Sequence, residues 1–194
     1  MCIRDRLNIT VSVESEKLTI ISAIFADEFE AKYSTILVGG GSEPLYLPKT
    51  SDNLPAKIIY RADYLSSALH EIAHWCIAGK KRLNMQDYGY WYAPDGRSAE
   101  QQELFEQSEV KPQALEWMFS VACGQVFCLS TDNLSCSVES PSSGSFSVAV
   151  ANQAQQWCAN GQLPSRGLQF LNVLCKNFGS NGKCHSHYQS VTTA

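Results

Sequence analysis

The chain has 194 residues, of which 44% are hydrophobic and 18% are charged, a composition typical of globular proteins and unlike that of disordered or fibrous ones. Its 15 basic and 19 acidic residues give a net charge of −4, which argues against a general nucleic-acid binder. Apolar runs stay well short of the roughly 18 residues that a membrane-spanning helix needs, so we expect neither direct nucleic-acid binding nor a membrane segment.

The sequence contains eight cysteines, an even count that would indicate disulfides in a short secreted protein. No two of them have the C-x-x-C spacing of zinc knuckles and redox motifs. The opening residues 1–6 carry charges of both signs and are unlike a signal peptide. We therefore expect a cytoplasmic protein whose cysteines are reduced thiols, used as small hydrophobic residues.

The first part of the chain predicts a leader, a helix and two extended segments. Residues 1–17 lack a clear period and are predicted to be a disordered or non-native leader. Apolar residues at helical spacing predict a helix over 18–33, after which Gly39-Gly40-Gly41 predict a flexible turn. Residues 44–48 and 57–61 are expected to be extended because of their proline, β-branched and aromatic content.

The rest of the chain is predicted to be mainly helical. In chain order we expect a helix over 65–78, a turn-rich segment over 88–96, a helix from Ser108 or Pro112 to Cys123, a serine-rich exposed loop over 135–147, and helices over 149–159 and 164–178. A polar tail over 179–194 is predicted to be frayed. The sequence thus predicts an α+β, mainly helical single domain with a few short strands over residues 18–178.

Residues 70–74 read His-Glu-Ile-Ala-His within the strongest helical pattern of the chain. Because four residues turn a helix by about 400°, His70 and His74 lie on one face, where both imidazoles can bind one divalent metal ion. Glu71 lies about 100° away and can reach the open side of the metal, where a carboxylate can move protons. The alternative is an ordinary amphipathic helix. It is disfavoured because the chain has only four histidines, and two of them occur at this spacing within one helix.

A site of this kind needs a third protein ligand, and no histidine follows the motif closely enough to supply it. The acidic candidates downstream are Asp87, Asp95, Glu100, Glu103, Glu106, Glu109 and Glu116. Spacing alone does not choose among them. A helix packed beside the histidine-bearing helix favours Glu109 or Glu116, and Pro112 in a first helical turn would put Glu109 at or just before the start of that helix.

An aromatic segment lies between the histidines and these acids. It contains Tyr88, Tyr90, Trp91 and Tyr92, followed by Asp95 and Arg97. Such rings can line a slot for the aliphatic stem of a lysine-like side chain, with an acid or a ring face holding the cationic end. The same rings would equally serve as core residues of a packed loop, with Arg97 in a surface ion pair.

Three separated blocks carry a resemblance that is more specific than the metal motif alone. They are HEIAHWCIAG at 70–79, GYWYAPDGR at 89–97 and EVKPQALEW at 109–117. In this order they resemble the bacterial elongation factor P hydroxylase family, over roughly residues 18–178. The leader, the serine-rich stretch and the tail do not fit the family pattern well, and they lie outside the three blocks.

The resemblance implies oxygen-dependent hydroxylation of a lysine side chain of elongation factor P, after that lysine has received a β-lysyl group. It implies a mononuclear non-haem metal, Fe(II), with molecular oxygen as co-substrate, in a fold that is not a jelly roll. Carried onto this sequence, the metal ligands are His70, His74 and Glu109. Glu71 is the expected catalytic acid or base, and Tyr90, Trp91, Tyr92, Asp95 and Arg97 are the expected substrate-binding residues.

Two alternatives remain at this stage. The first is a zinc-dependent hydrolase or peptidase in which Glu71 is the general base that activates a metal-bound water, the usual meaning of the motif in peptidases. Zinc is redox-inert, so the identity of the metal decides the class of reaction. The second alternative is a non-catalytic module that binds a purely structural metal.

Overall fold

The computed structural model of the protein describes residues 3–50, 54–89, 97–130 and 141–189, with side chains from residue 13 in the first range and from residue 144 in the last. The chain forms two compact units, Met1–Gly89 and Tyr90–Ala194. Helices dominate both, and the strands belong to the first unit. The predicted α+β, mainly helical class is confirmed, as is the expectation that the fold is not a jelly roll.

The first unit begins with a long helical stretch. Helix α1 spans Ile3–Phe25, a π-helical turn spans Ala26–Glu30, and helix α2 continues over Ala31–Tyr33. The stretch ends at Ser34, whose backbone is left-handed with φ 50°. Residues 3–17, which lie in the leader predicted to be disordered or non-native, are helical here. A helix that is nucleated by an apolar face gains one hydrogen bond for each added residue, so it extends past the end of its apolar pattern.

The described strands form a three-stranded sheet in the order β1-β3-β2. Strand β1 spans Thr35–Gly41, β2 spans Leu45–Leu47 and β3 spans Ala56–Arg61. Strand β3 pairs in parallel with β1 and antiparallel with β2. The two extended segments predicted from the sequence are strands β2 and β3, while β1 was not predicted.

The flexible turn predicted at Gly39-Gly40-Gly41 is wrong, because these glycines form the end of strand β1. The pairing with β3 shifts its register between Val38 and Gly41, and Gly40 has a positive φ of 79° that favours glycine. A Cβ atom on Gly39 would lie 2.6 Å from the hydroxyl of Tyr60. Here glycine permits a bulge and a close approach of strand and side chain instead of breaking the element.

Helix α3 spans Leu65–Ile77, close to the prediction, and carries the histidine motif. Apolar residues at helical spacing bury one side of it, including Leu65, Leu69 and Ile72, each at most 2% exposed. Trp75 is 1% exposed and meets three rings from the preceding helical stretch. The ring centroids of Phe25, Phe29 and Tyr33 lie 5.3, 5.1 and 5.3 Å from that of Trp75, all in edge-on arrangements.

In the second unit, helix α4 spans Ala99–Cys123, so the predicted start at Ser108 or Pro112 is wrong. The helix begins with a capping box: the Ser98 hydroxyl accepts from the Gln101 backbone N–H, and the Gln101 side chain accepts from the Ser98 N–H. Pro112 lies inside the helix, so Glu109 is in the middle of the helix and not at its start. Although α4 is long, no helix among the described residues is apolar enough over a sufficient length to cross a bilayer.

The second unit continues with helix α5 over Pro141–Asn160 and helix α6 over Ser165–Phe178. Both α5 and α6 contact α4, and the prediction of a helix after Pro164 is confirmed. The exposed loop predicted over 135–147 is wrong from Pro141 onward, where helix α5 begins, while residues 135–140 lie outside the described part. Proline suits the first helical turn, because its missing N–H has no partner to lose there.

The segment after α6 is packed as far as residue 189, in contrast to the frayed tail predicted over 179–194. A short 3-10 turn, His185–Tyr188, brings the fully buried Tyr188 against Trp117, with ring centroids 5.1 Å apart. Gln155 of α5 donates to the Tyr188 carbonyl at 2.7 Å. This contact could not be predicted from the sequence, because one aromatic residue in a polar segment makes no periodic pattern.

We expect Tyr188→Ala to lower the free energy of unfolding of the second unit by about 3–5 kcal/mol, since it removes a buried ring from the core. Chemical denaturation followed by circular dichroism measures the change. The exposed His185 provides the control, and His185→Ala should change stability by less than about 0.5 kcal/mol. Equal, small effects of both substitutions would show that the segment is not packed.

Candidate metal centre

His70 and His74 lie one turn apart on the half-buried face of α3, as their spacing predicts. Their Nε2 atoms are 3.0 Å apart, and the ring centroids lie 4.6 Å apart at an interplanar angle of 71°. Two nitrogen donors therefore converge on the same point from a single helical turn. Trp75, the residue after His74, is buried in the first unit, so the packing of α3 there sets the direction of both imidazoles.

Glu109 is the acidic residue that groups with the two histidines. It is 3% exposed, and one ligand atom from each of His70, His74 and Glu109 lies within 4.8 Å of the others. Among the described residues, His70, His74 and Glu109 are the metal-ligating side chains that form a group of three with ligand atoms this close together. Glu109 was one of two residues that helix packing favoured before the resemblance singled it out.

The other acidic candidates have different surroundings. Asp87 accepts a hydrogen bond from the Tyr46 backbone N–H at 2.8 Å, and Glu106 accepts from the Gln102 side chain at 3.0 Å. Glu100 and Glu103 are exposed, whereas Glu116 is buried, as Glu109 is. Asp95 lies outside the described residues. Of the described acids, Asp87, Glu100, Glu103, Glu106 and Glu116 do not belong to the group formed by the two histidines and Glu109.

The chemistry of the donor set fits a divalent metal ion. Two neutral imidazoles and one carboxylate would leave further coordination positions for small ligands. The Nε2 atoms of His70 and His74 are 3.0 Å apart, so both can reach one ion from a single helical turn.

Glu71 is buried, at 8% exposure, on the helix that carries the histidines. Its carboxylate acts on Tyr88: burial raises the pKa of the Tyr88 phenol well above its usual value, and the negative charge of Glu71 adds to the rise. Glu71 and the Tyr88 hydroxyl are thus within electrostatic reach of each other. A carboxylate in this position beside the two histidines can accept and return a proton.

Tyr88 is the residue near the histidines that the sequence did not single out. Its ring stacks on Tyr46, with centroids 4.3 Å apart at 15°, and lies nearly parallel to the His74 ring at 6.1 Å. From the sequence it was one of several aromatics in a turn-rich segment. Only its stacking against His74 distinguishes it, and such a contact between residues of different elements leaves no spacing signal in the chain.

The predicted substrate-binding residues are described only in part. Tyr90, Trp91, Tyr92 and Asp95 lie outside the described residues. Arg97 is described: its guanidinium lies 4.0 Å from the centre of the Phe105 ring, and its Nε donates to the Gln102 side chain at 3.4 Å. The binding role of all five residues stays a prediction.

We expect Asp87→Ala to lower stability by about 1–2 kcal/mol, because it removes the acceptor for the Tyr46 N–H and leaves alanine at a φ of 46°. Asp87→Asn keeps an oxygen acceptor and tolerates a left-handed backbone, so it should cost less than about 0.5 kcal/mol. Thermal and chemical unfolding of both variants check this expectation. Equal losses in the two would mean that the hydrogen bond and the strain do not matter there.

Comparison with known proteins identifies the family to which the chain belongs. Residues 24–188 match the family model described as Elongation factor P hydroxylase. The Elongation factor P lysine hydroxylase of Haemophilus influenzae (strain ATCC 51907 / DSM 11121 / KW20 / Rd) is 56% identical over 119 residues, which cover 61% of this chain. The matched part spans 66% of that relative, slightly less than two thirds of its length. The family match covers most of the chain, which therefore belongs to the elongation factor P hydroxylase family.

Proposed function

We propose that this chain catalyses the oxygen-dependent hydroxylation of the β-lysylated lysine side chain of elongation factor P. The observation that carries the proposal is the grouping of His70, His74 and Glu109 in a chain of this family. The name of the Haemophilus influenzae relative, a lysine hydroxylase of elongation factor P, supports the same substrate. Because that substrate is a translation factor, we propose the cytoplasm as the place of action, with no direct role for nucleic acid or a membrane.

Three side chains would hold the metal, which we propose to be Fe(II). His70 and His74 offer neutral nitrogen donors and Glu109 offers one negative oxygen donor. Iron is favoured over zinc because zinc is redox-inert and could not activate oxygen for a hydroxylation. Bound Fe(II) would supply the activation of molecular oxygen.

The overall reaction converts one C–H bond of the substrate to C–OH. One oxygen atom of O₂ enters the product and the other leaves as water, which requires two electrons from a reductant and two protons. Glu71 is the residue proposed to hold and transfer a proton, since its buried carboxylate lies on the same helical turn as the histidines. Its burial keeps bulk water from competing for that proton.

Binding of the modified lysine is assigned to the aromatic segment and its flanking charges. Tyr90, Trp91 and Tyr92 would pack on the aliphatic stem, and Asp95 would bind an ammonium group. Arg97 repels an ammonium group, so its role would be to contact the backbone or an acidic residue of elongation factor P. Such a set of residues would select a long cationic side chain over a short or neutral one.

The first test is direct. Purified protein loaded with Fe(II) is incubated with β-lysylated elongation factor P, a reductant and oxygen, and the substrate is weighed by mass spectrometry. We expect the mass to rise by one oxygen atom, and we expect ¹⁸O₂ to supply it. An unchanged mass would overturn the proposal. Peptide cleavage that proceeds without oxygen and with zinc would instead establish the hydrolase.

A second test separates Glu109 from Glu116, another buried acid of α4. Glu109→Gln keeps the shape but removes the anionic ligand, so we expect it to lower metal affinity at least about tenfold and abolish hydroxylation. Glu116→Gln should keep the wild-type metal content. Exposed Glu103→Gln, on the same helix, is the matched control and should change neither quantity. Metal content is measured by elemental analysis after dialysis.

The outcome also tests the ligand assignment itself. Loss of metal in Glu116→Gln with retention in Glu109→Gln would make Glu116 the ligand. Loss of both the metal and the fold in Glu109→Gln, with the fold kept in Glu116→Gln, would indicate a structural metal, because a catalytic site should lose activity and keep most of the fold. Circular dichroism measures the fold of each variant.

A further inference from the structure

The hydroxyl of Tyr88 is a buried polar group for which the described residues provide no hydrogen-bond partner. Tyr88 as a whole is 4% exposed. Burying a hydroxyl without a partner costs free energy, and nearly all buried polar groups in folded proteins are satisfied. A ligand that enters the site can supply the missing partner.

The backbone around Tyr88 is held in an unfavourable conformation. Asp87, Tyr88 and Gly89 follow one another with φ values of 46°, 57° and 73°. Left-handed conformations of non-glycine residues cost energy and persist only where the surroundings impose them, most often at functional sites. Two such residues in succession, next to a histidine pair, are therefore a sign of function.

Three hydrogen bonds impose this conformation. The Asp87 carboxylate accepts from the Tyr46 N–H at 2.8 Å, Arg82 donates to the Tyr88 carbonyl at 3.0 Å, and the Tyr46 hydroxyl donates to the Leu83 carbonyl at 2.9 Å. Each of them fixes the loop or the ring that packs on Tyr88. None of them uses the Tyr88 hydroxyl, which therefore adds nothing to the stability of the loop that presents it.

The ring of Tyr88 packs against one neighbouring ring and lies nearly parallel to a second. Tyr46 stacks on one side at 4.3 Å, and the His74 ring lies nearly parallel at 6.1 Å. This packing fixes the position of the phenol oxygen. Glu71 lies three residues before His74 on helix α3, and is therefore on the same side of the helix as the ring that lies parallel to Tyr88. A fixed hydrogen-bond donor and a buried acceptor thus lie in the same region of the first unit.

We propose that the Tyr88 hydroxyl and the Glu71 carboxylate together bind one hydroxyl group of the ligand, which accepts a hydrogen bond from Tyr88 and donates one to Glu71. In the resting protein this ligand is water, and after reaction it is the new hydroxyl of the hydroxylated lysine. The second assignment rests on the function proposed above. Tyr88 would then be a catalytic residue that touches the reacting part of the substrate, and it would distinguish product from substrate.

Tyr88→Phe tests the proposal, because it removes the hydroxyl and keeps both stacked rings. Titration calorimetry measures the binding of β-lysylated elongation factor P with and without the added hydroxyl. We expect wild-type protein to prefer the hydroxylated form, and we expect Tyr88→Phe to reduce that preference about fivefold or more. Tyr64→Phe, at a residue 59% exposed, is the matched control and should keep the wild-type preference. An unchanged preference in Tyr88→Phe would overturn the proposal.

Thermal unfolding gives a readout that does not depend on activity. Because the Tyr88 hydroxyl makes no bond within the described chain, Tyr88→Phe should leave the melting temperature unchanged or raise it. Tyr46→Phe loses the bond to Leu83 and should lower it. A fall in Tyr88→Phe as large as in Tyr46→Phe would mean that the hydroxyl serves the fold, which contradicts the proposal.

The two proposals fail in different ways. Absence of oxygen transfer by the wild-type protein overturns the hydroxylase function, while the melting comparison still decides whether the Tyr88 hydroxyl is committed to the fold. Oxygen transfer by the wild-type protein, together with an unchanged binding preference in Tyr88→Phe, overturns only the role of Tyr88.

Discussion

The packing of Trp75 against the aromatic rings of the first helical stretch is the interaction on which the candidate site depends. Phe25, Phe29 and Tyr33 all meet the indole edge-on, with centroids little more than 5 Å away. Trp75 follows His74 directly in sequence, so the ring that fixes the rotation of helix α3 also fixes the direction of the imidazoles. A loosely held helix could not keep two ligand atoms converged to within hydrogen-bond distance.

Helix α4 places polar groups in a buried setting along its whole length. Its buried polar residues follow one another at intervals of four and three: Gln102, Glu106, Glu109, Gln113, Glu116 and Ser120. Such groups destabilise a fold unless they are paired. Gln102 donates to Glu106, and the Gln113 amide both donates to and accepts from the Ser130 backbone. The polar stripe is thus satisfied in part by its own members and supports a carboxylate at its centre.

The same stripe explains which parts of the structure could be predicted from the sequence. Helix α3 has apolar residues at helical spacing, so its extent and the facing histidines followed from the pattern. In α4 polar residues occupy inward positions, and the apolar periodicity fails over the first half of the helix. The start at Ser98 was missed for this reason, although a Ser-x-x-Gln capping box marks it. Glu109 and Glu116 are both buried, and helical spacing gives no ground for choosing between them.

Other features depended on contacts that no local pattern encodes. Gly39 lies in a strand where the Tyr60 hydroxyl occupies the place of a Cβ, and Gly40 supplies the positive φ of the bulge. Tyr188 is ordered by Trp117, far away in sequence. Tyr88 is placed beside the histidines by its contacts with the rings of Tyr46 and His74. In each case a tertiary contact overrides a local tendency toward a turn or an irregular segment.

The short distance between the two imidazoles has a consequence for how tightly a metal ion can bind. The Nε2 atoms of His70 and His74 are 3.0 Å apart on one helical turn, and the packing of Trp75 holds that turn in place. The conformational entropy of the two side chains is therefore lost when the helix packs, and the binding of an ion does not have to meet that loss again. Preorganisation of this kind raises affinity without any added contact.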